Sequence, residues 1–275
     1  MKTFRLPILL GLIFLFGCSK LELESDFRQN DITIDGDQAD WDGQMIFLEK
    51  EQISLGLLND ENDFYLSLAT NNRLLIRKIL ANGFTLWLDG SGGKKKDYGL
   101  RFPLGFMNSN PEFGQRPGMR QDGQNYPQPG MGPDGKQPSL PKVGNDLQII
   151  GKDNEIMHVV KLGTTTDFQA KLNSQEGMLV YELKIPLNRE DISGLGINAK
   201  AGDKIGVGFE TQKFDRDKMM ESRSGGMSGR PMGGGRPMGG GGRMGGGRGA
   251  MPGRADASMN EQLKVWATIQ LSKVK

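Results

Sequence analysis

Two tryptophans stand on unexpected faces of their strands. From Phe84 to Asp89, Phe84, Leu86 and Leu88 alternate with Thr85, Trp87 and Asp89. From Leu263 to Leu271, Leu263, Val265, Ala267, Ile269 and Leu271 form the apolar face and leave Lys264, Trp266, Thr268 and Gln270 on the other. Side chains alternate across a strand, so Trp87 and Trp266 both leave the face that reads as core. A flat indole with polar neighbours suits the apolar face of a pyranose ring, with Asp89, Lys264 and Gln270 placed to hydrogen-bond sugar hydroxyls. A second reading stays open, in which both faces of these strands are buried and the rings are packing.

Four carboxylates crowd one turn at Asp35, Asp37, Asp40 and Asp42. Calcium takes several carboxylate and carbonyl oxygens, so this turn is a candidate calcium site. The spacing is not that of an EF-hand loop. Turn formation and capping account for the same acids equally well. Catalysis is not expected. The single histidine, His158, has no nucleophile motif beside it, and Met157 and His158, being adjacent in a strand, point to opposite faces and cannot both ligate one iron. Glu182 and Glu210 could form a glycosidase pair only if they flanked one bond; alternation of Glu with Lys on a strand reads more simply as a solvated face.

The single cysteine excludes an internal disulfide and stands where a lipid would be attached. Lys2 and Arg5 precede an apolar run from Leu6 to Gly17, which is shorter than the roughly 20 residues a spanning helix needs. Leu15-Phe16-Gly17-Cys18 then resembles a lipobox, although Phe16 is bulkier than the residue usual there. This predicts a signal peptide over 1–18, lipidation (palmitate) at Cys18, a flexible polar tether over 19–30, and a cell-envelope location on the outer membrane, facing the periplasm or the surface.

The remaining pattern is that of short strands. Residues 53–57 and 64–68 alternate apolar and polar around Asn59-Asp60-Glu61-Asn62, which is turn chemistry, so they read as a hairpin. Asn72 caps a short helix carrying Leu75, Ile76, Ile79 and Leu80, and Gly83 sits at its C-cap. Further strands are expected near 84–89, 98–103, 146–151, 155–162, 168–172, 178–187, 205–209 and 263–271. Residues 105–143 and 215–260 lack any apolar period and read as disordered insertions, which a sandwich tolerates because loop-closure entropy grows only logarithmically with length. The second tract contains Arg223, Arg230, Arg236, Arg243, Arg248 and Arg254 with no acid from 222 to 254. Its methionines, among them Met227, Met232, Met238, Met244 and Met251, are soft ligands that suit Cu(I). The net charge of +2 names no partner, and behind an export signal no nucleic acid is expected.

The run from Ile32 to Trp41, Ile-Thr-Ile-Asp-Gly-Asp-Gln-Ala-Asp-Trp, resembles the opening of bacterial family 9 carbohydrate-binding-module-like (DOMON-type) domains. These begin with a strand, an Asp-Gly turn and an Asp-Trp pair. Segments 53–60, 64–69, 83–89, 182–187 and 263–271 match the same family in order. The resemblance implies an all-β, antiparallel sandwich of jelly-roll or immunoglobulin-like type over 31–275, with one short helix and the two long insertions. It also implies sugar binding: paired tryptophans clamp the sugar in that family, Trp87 and Trp266 occupy matching segments, and some members bind calcium. The expected function is therefore a lipid-anchored, non-catalytic carbohydrate-binding protein. A structural or interaction lipoprotein presenting flexible tracts, and a methionine-rich copper-handling protein, are the alternatives.

Overall fold

The computed structural model describes residues 21–105, 143–175, 177–188, 195–213 and 262–274. The longer strands place apolar residues at alternate positions, as Phe64, Leu66 and Leu68 or Leu179, Tyr181, Leu183 and Ile185 do, so two sheets can bury one face each. Sheet A contains β1 (Leu21–Glu24), β6 (Phe84–Asp89), β7 (Gly99–Arg101), β8 (Asp146–Ile150), β9 (Ile156–Lys161), β12 (Lys204–Thr211) and β13 (Lys264–Gln270). Sheet B contains β2 (Asp26–Phe27), β3 (Met45–Leu48), β4 (Ile53–Asn59), β5 (Asp63–Thr70), β10 (Gln169–Gln175) and β11 (Met178–Pro186). The order in sheet A is β1-β13-β12-β6-β7-β8-β9; in sheet B it is β10-β11-β5-β4-β2, with β3 also paired to β4. Leu55, Phe64, Leu66, Leu68 and Leu183 from sheet B meet Leu86, Leu88, Val207, Phe209 and Ile269 from sheet A in one buried cluster. This is the expected β-sandwich.

The helix α1 (Arg73–Asn82) begins and ends where the sequence predicts. Asn72 Oδ1 accepts from the N–H groups of Leu74 and Leu75 at 3.0 and 3.2 Å, satisfying two orphan donors of the first turn. Gly83, at φ 95°, donates its N–H to the Ile79 carbonyl. Leu75, Ile79 and Leu80 are buried against the core.

Two segments differ from the sequence-based expectation. Residues 21–27 are not free tether. β1 pairs in parallel with β13, with Leu21 opposite Ala267 and Leu23 opposite Ile269. The chain then crosses to sheet B at Ser25, where β2 pairs in parallel with Leu58 and Asn59. Ser25 is buried and its hydroxyl donates to Asn59 Oδ1 at 2.5 Å. The signal in Leu21 and Leu23 is two residues long, and its partner lies near the other end of the chain.

The stretch from Ile32 to Trp41 was expected to open with a strand. Ile32 and Ile34 instead lie outside any ladder and pack on the outer face of sheet B with Trp41, Leu58, Tyr65 and Met45. Trp41 is fully buried and lies over Gly56, where any Cβ would strike its ring. Its indole N–H donates to Glu182 Oε1 at 2.6 Å; Glu182 Oε2 accepts from the backbone N–H groups of Asp35 (2.9 Å) and Gly36 (2.6 Å). Burial pushes the Glu182 carboxyl up from its ordinary value, and these N–H donors pull it down without cancelling that rise.

Candidate functional site

The outer face of sheet A collects most of the residues singled out from sequence. Register places Trp266 opposite Gly208 and Gly208 opposite Trp87, so the two tryptophans stand on one face with a glycine between them. Two interstrand spacings separate their backbones, about 10 Å. Gly99 continues the row beyond Trp87. Each ring lies down over the next glycine: a Cβ at Gly208 would come within 2.6 Å of Trp266 Cε2, and one at Gly99 within 2.7 Å of Trp87 Cε3. Glycine at both positions is therefore a steric requirement of the rings.

The two tryptophans end in different environments. Trp87 is 2% exposed. Its Nε1 donates to Glu210 Oε2 at 2.9 Å, Lys96 Nζ sits 5.3 Å from its ring centroid, and Lys96 also pairs with Glu210. Trp87 is thus a floor under an ion pair. Trp266 stays partly exposed. Glu210 is committed to Trp87 and Lys96 on the outside of sheet A, whereas Glu182 is buried outside sheet B, so the two acids cannot flank one bond.

Asp89 shares the face of Trp87, and both its oxygens are engaged. Oδ1 accepts from the Ser91 N–H at 3.0 Å and the Ser91 hydroxyl at 2.6 Å, and Oδ2 from the Lys95 N–H at 2.9 Å. Burial works to raise its pKa, but these donors together hold the carboxyl below its ordinary value. Asp89 thereby folds the loop after β6 back over Gly206, where a Cβ would collide with the Gly93 carbonyl. Lys264 is exposed beside Trp266, opposite Glu210.

Gln270 lies farther along β13 on the same face and lines a cavity of about 140 Å³ with Glu22, Leu23, Glu24, Lys204 and Thr268. β1 positions the two glutamates: Glu22 stands opposite Thr268 and Glu24 opposite Gln270, while Lys204 faces Gln270 from β12. Thr268 follows Trp266 by two residues, about 7 Å along the strand, so ring and cavity are neighbours on one surface. The sequence pointed to Trp266 and Gln270. It did not point to Glu22, Glu24, Lys204 or Thr268, and the signal that could have found them is the Leu-Glu-Leu-Glu alternation at Leu21–Glu24.

The clustered aspartates near Trp41 serve their own turn. Asp35 accepts from the Asp37 N–H at 2.8 Å, Asp37 from the Ala39 N–H at 3.0 Å, and Asp40 from the Thr33 N–H at 2.9 Å. Asp42 ends the short 3-10 turn Ala39–Trp41. Among the described residues no group of three or more His, Cys, Asp or Glu side chains is arranged to hold a metal ion. His158 is exposed on the edge strand β9. Cys18, the methionines proposed for Cu(I) and nearly all of the two insertions lie outside the described residues.

No protein-family model and no curated protein matches the chain. Among solved structures it is similar to a family 9 carbohydrate-binding module from Caldicellulosiruptor kristjanssonii in complex with glucose. The identity is 11% and the TM-score 0.33, over 73% of this chain and 81% of that one.

Proposed function

We propose that this chain is a non-catalytic carbohydrate-binding protein of the cell envelope, anchored by lipid at Cys18. The observation that supports the sugar is the partly exposed Trp266 ring set beside a polar cavity on the outer face of sheet A. A sugar chain with one ring on Trp266 and the next running along β13 would meet Thr268 and then Gln270, flanked by Glu22 and Lys204, a few polar groups beside an apolar floor. Trp87 shares the face but not the role: its ring is buried over Gly99, on the side away from Gly208 and Trp266.

Titration calorimetry of the full-length protein in detergent against a panel of oligosaccharides tests this. At least one sugar class should bind, and Trp266→Ala should weaken that binding while thermal melting stays close to wild type. Absence of heat with every sugar class, or binding indifferent to Trp266→Ala, would end the proposal.

A further inference from the structure

The cavity beside Trp266 has an uneven set of hydrogen-bonding groups, and that imbalance selects a ligand. Glu22 and Glu24 are exposed on the same face of β1, and among the described residues neither carboxylate has an ion pair or a side-chain hydrogen bond. A carboxylate only accepts. Gln270 spends its amide N–H groups on the carbonyls of Gly202 (2.8 Å), Leu271 (3.2 Å) and Asp203 (3.4 Å), which leaves its carbonyl oxygen as an acceptor. Thr268 is 4% exposed, and among the described residues its hydroxyl has no partner although it lines the cavity. Lys204 supplies the one ammonium of the lining. Acceptors therefore outnumber donors, and the lining carries net negative charge.

We propose that this cavity takes the ammonium group of an amino-sugar oligomer, a neighbouring ring of which rests on Trp266, an inference that rests on the sugar-binding reading above. An ammonium brings three donors and no acceptor, the complement of two carboxylates and an amide oxygen. Its bonds to Glu22 and Glu24 are charge-assisted, hence stronger than those of a neutral hydroxyl. The Thr268 hydroxyl serves a neighbouring ring substituent as donor or acceptor. A uronic acid would place a third carboxylate against the first two. N-acetylation removes the charge and turns the donor group into an amide. Selection thus comes from the carboxylates, while affinity for the ring comes from the indole, and the two are separable by mutation.

The test is titration calorimetry of the full-length protein in detergent with glucosamine, N-acetylglucosamine, neutral cello- and galacturonate oligosaccharides of equal length. Glucosamine oligomers should bind about tenfold more tightly than the neutral and acetylated ones, the effect of one charge-assisted hydrogen bond. The preference should shrink with added salt. The double substitution Glu22→Gln, Glu24→Gln should abolish it, bringing amino and neutral sugars to one affinity, with thermal melts confirming that β1 still pairs. Thr268→Val, away from the carboxylates, should weaken every sugar alike and keep the preference. Equal affinity for amino and neutral sugars, tighter binding of galacturonate, or a preference that survives the double substitution overturns the amino-sugar inference and leaves the sugar reading standing. No binding of any oligomer removes both.

Discussion

The indole N–H of Trp41 reaches across the outer face of sheet B to Glu182, 141 positions away in the chain, at 2.6 Å. The backbone N–H groups of Asp35 and Gly36 take the other carboxylate oxygen. One buried acid therefore fastens the whole run from Ile32 to Trp41 onto the sheet. A Gly36 side chain would have no room, because a Cβ there would come within 2.5 Å of Asn173 Cβ.

Glu182→Gln should consequently destabilise the protein. A glutamine keeps the shape but presents an NH₂ where an acceptor is needed, so either Trp41 or the Asp35–Gly36 turn loses its partner. The expected cost is about 1–3 kcal/mol for an orphaned buried donor. Denaturant unfolding of the two proteins measures it, and an unchanged midpoint would show that the latch contributes nothing.

Much of this was legible before the structure, and the gaps have physical causes. Alternation alone placed Trp87 and Trp266 opposite the core face, because side-chain period is a local property. How deeply each ring is buried is not a local property. Trp87 is covered by Lys96 from one loop and Glu210 from β12, and Gly208 joins the tryptophans only because β12 pairs with both β6 and β13. The helix was readable from Asn72 and Gly83, since caps are local chemistry. β1 was not, because two leucines separated by one glutamate become a strand only beside β13. Half of the candidate cavity was hidden with it.

Acid should loosen the protein at two turns. Asp60 accepts from the N–H groups of Asn62 and Asp63 at 2.9 and 2.8 Å, from the Tyr65 hydroxyl at 3.1 Å and from Arg28 Nε at 3.0 Å. Burial alone would raise its pKa, but these donors together hold it below the ordinary carboxylate value, as happens for Asp89. A folded-state value below the unfolded one means stability that is fully present above the unfolded pKa of about 4 and lost as pH falls through the folded value. Urea midpoints measured from about pH 5 down to about pH 2 should fall, and Asp60→Asn should flatten that fall. A variant whose acid profile matches wild type would remove Asp60 from the account.

The anchor makes a prediction independent of the sandwich. The apolar run ending in Gly17-Cys18 is the motive. Wild type should partition into a detergent phase and incorporate labelled lipid precursor; Cys18→Ala should partition into water and incorporate none. Equal labelling of the two would place the lipid elsewhere or nowhere.

The two tryptophans should respond oppositely to truncation. Trp87 is buried, hydrogen-bonded to Glu210 and roofed by Lys96, so its replacement by alanine leaves a cavity over Gly99 and an acid without its indole partner. The expected loss of stability is about 3–5 kcal/mol. Trp266 is partly exposed and has a glycine beneath its ring, so less packing is lost there. Trp266→Ala should cost about 1–3 kcal/mol of sugar affinity, by analogy with stacking of nucleic-acid bases on aromatic side chains, and shift melting little. Gly208→Val supplies the control, because its side chain must displace the Trp266 ring without removing it; it should weaken sugar binding with the indole still present. Melts and titrations of the three variants separate packing from recognition. A Trp266→Ala protein that melts as low as Trp87→Ala would make both rings structural and leave the outer face of sheet A without its proposed ligand.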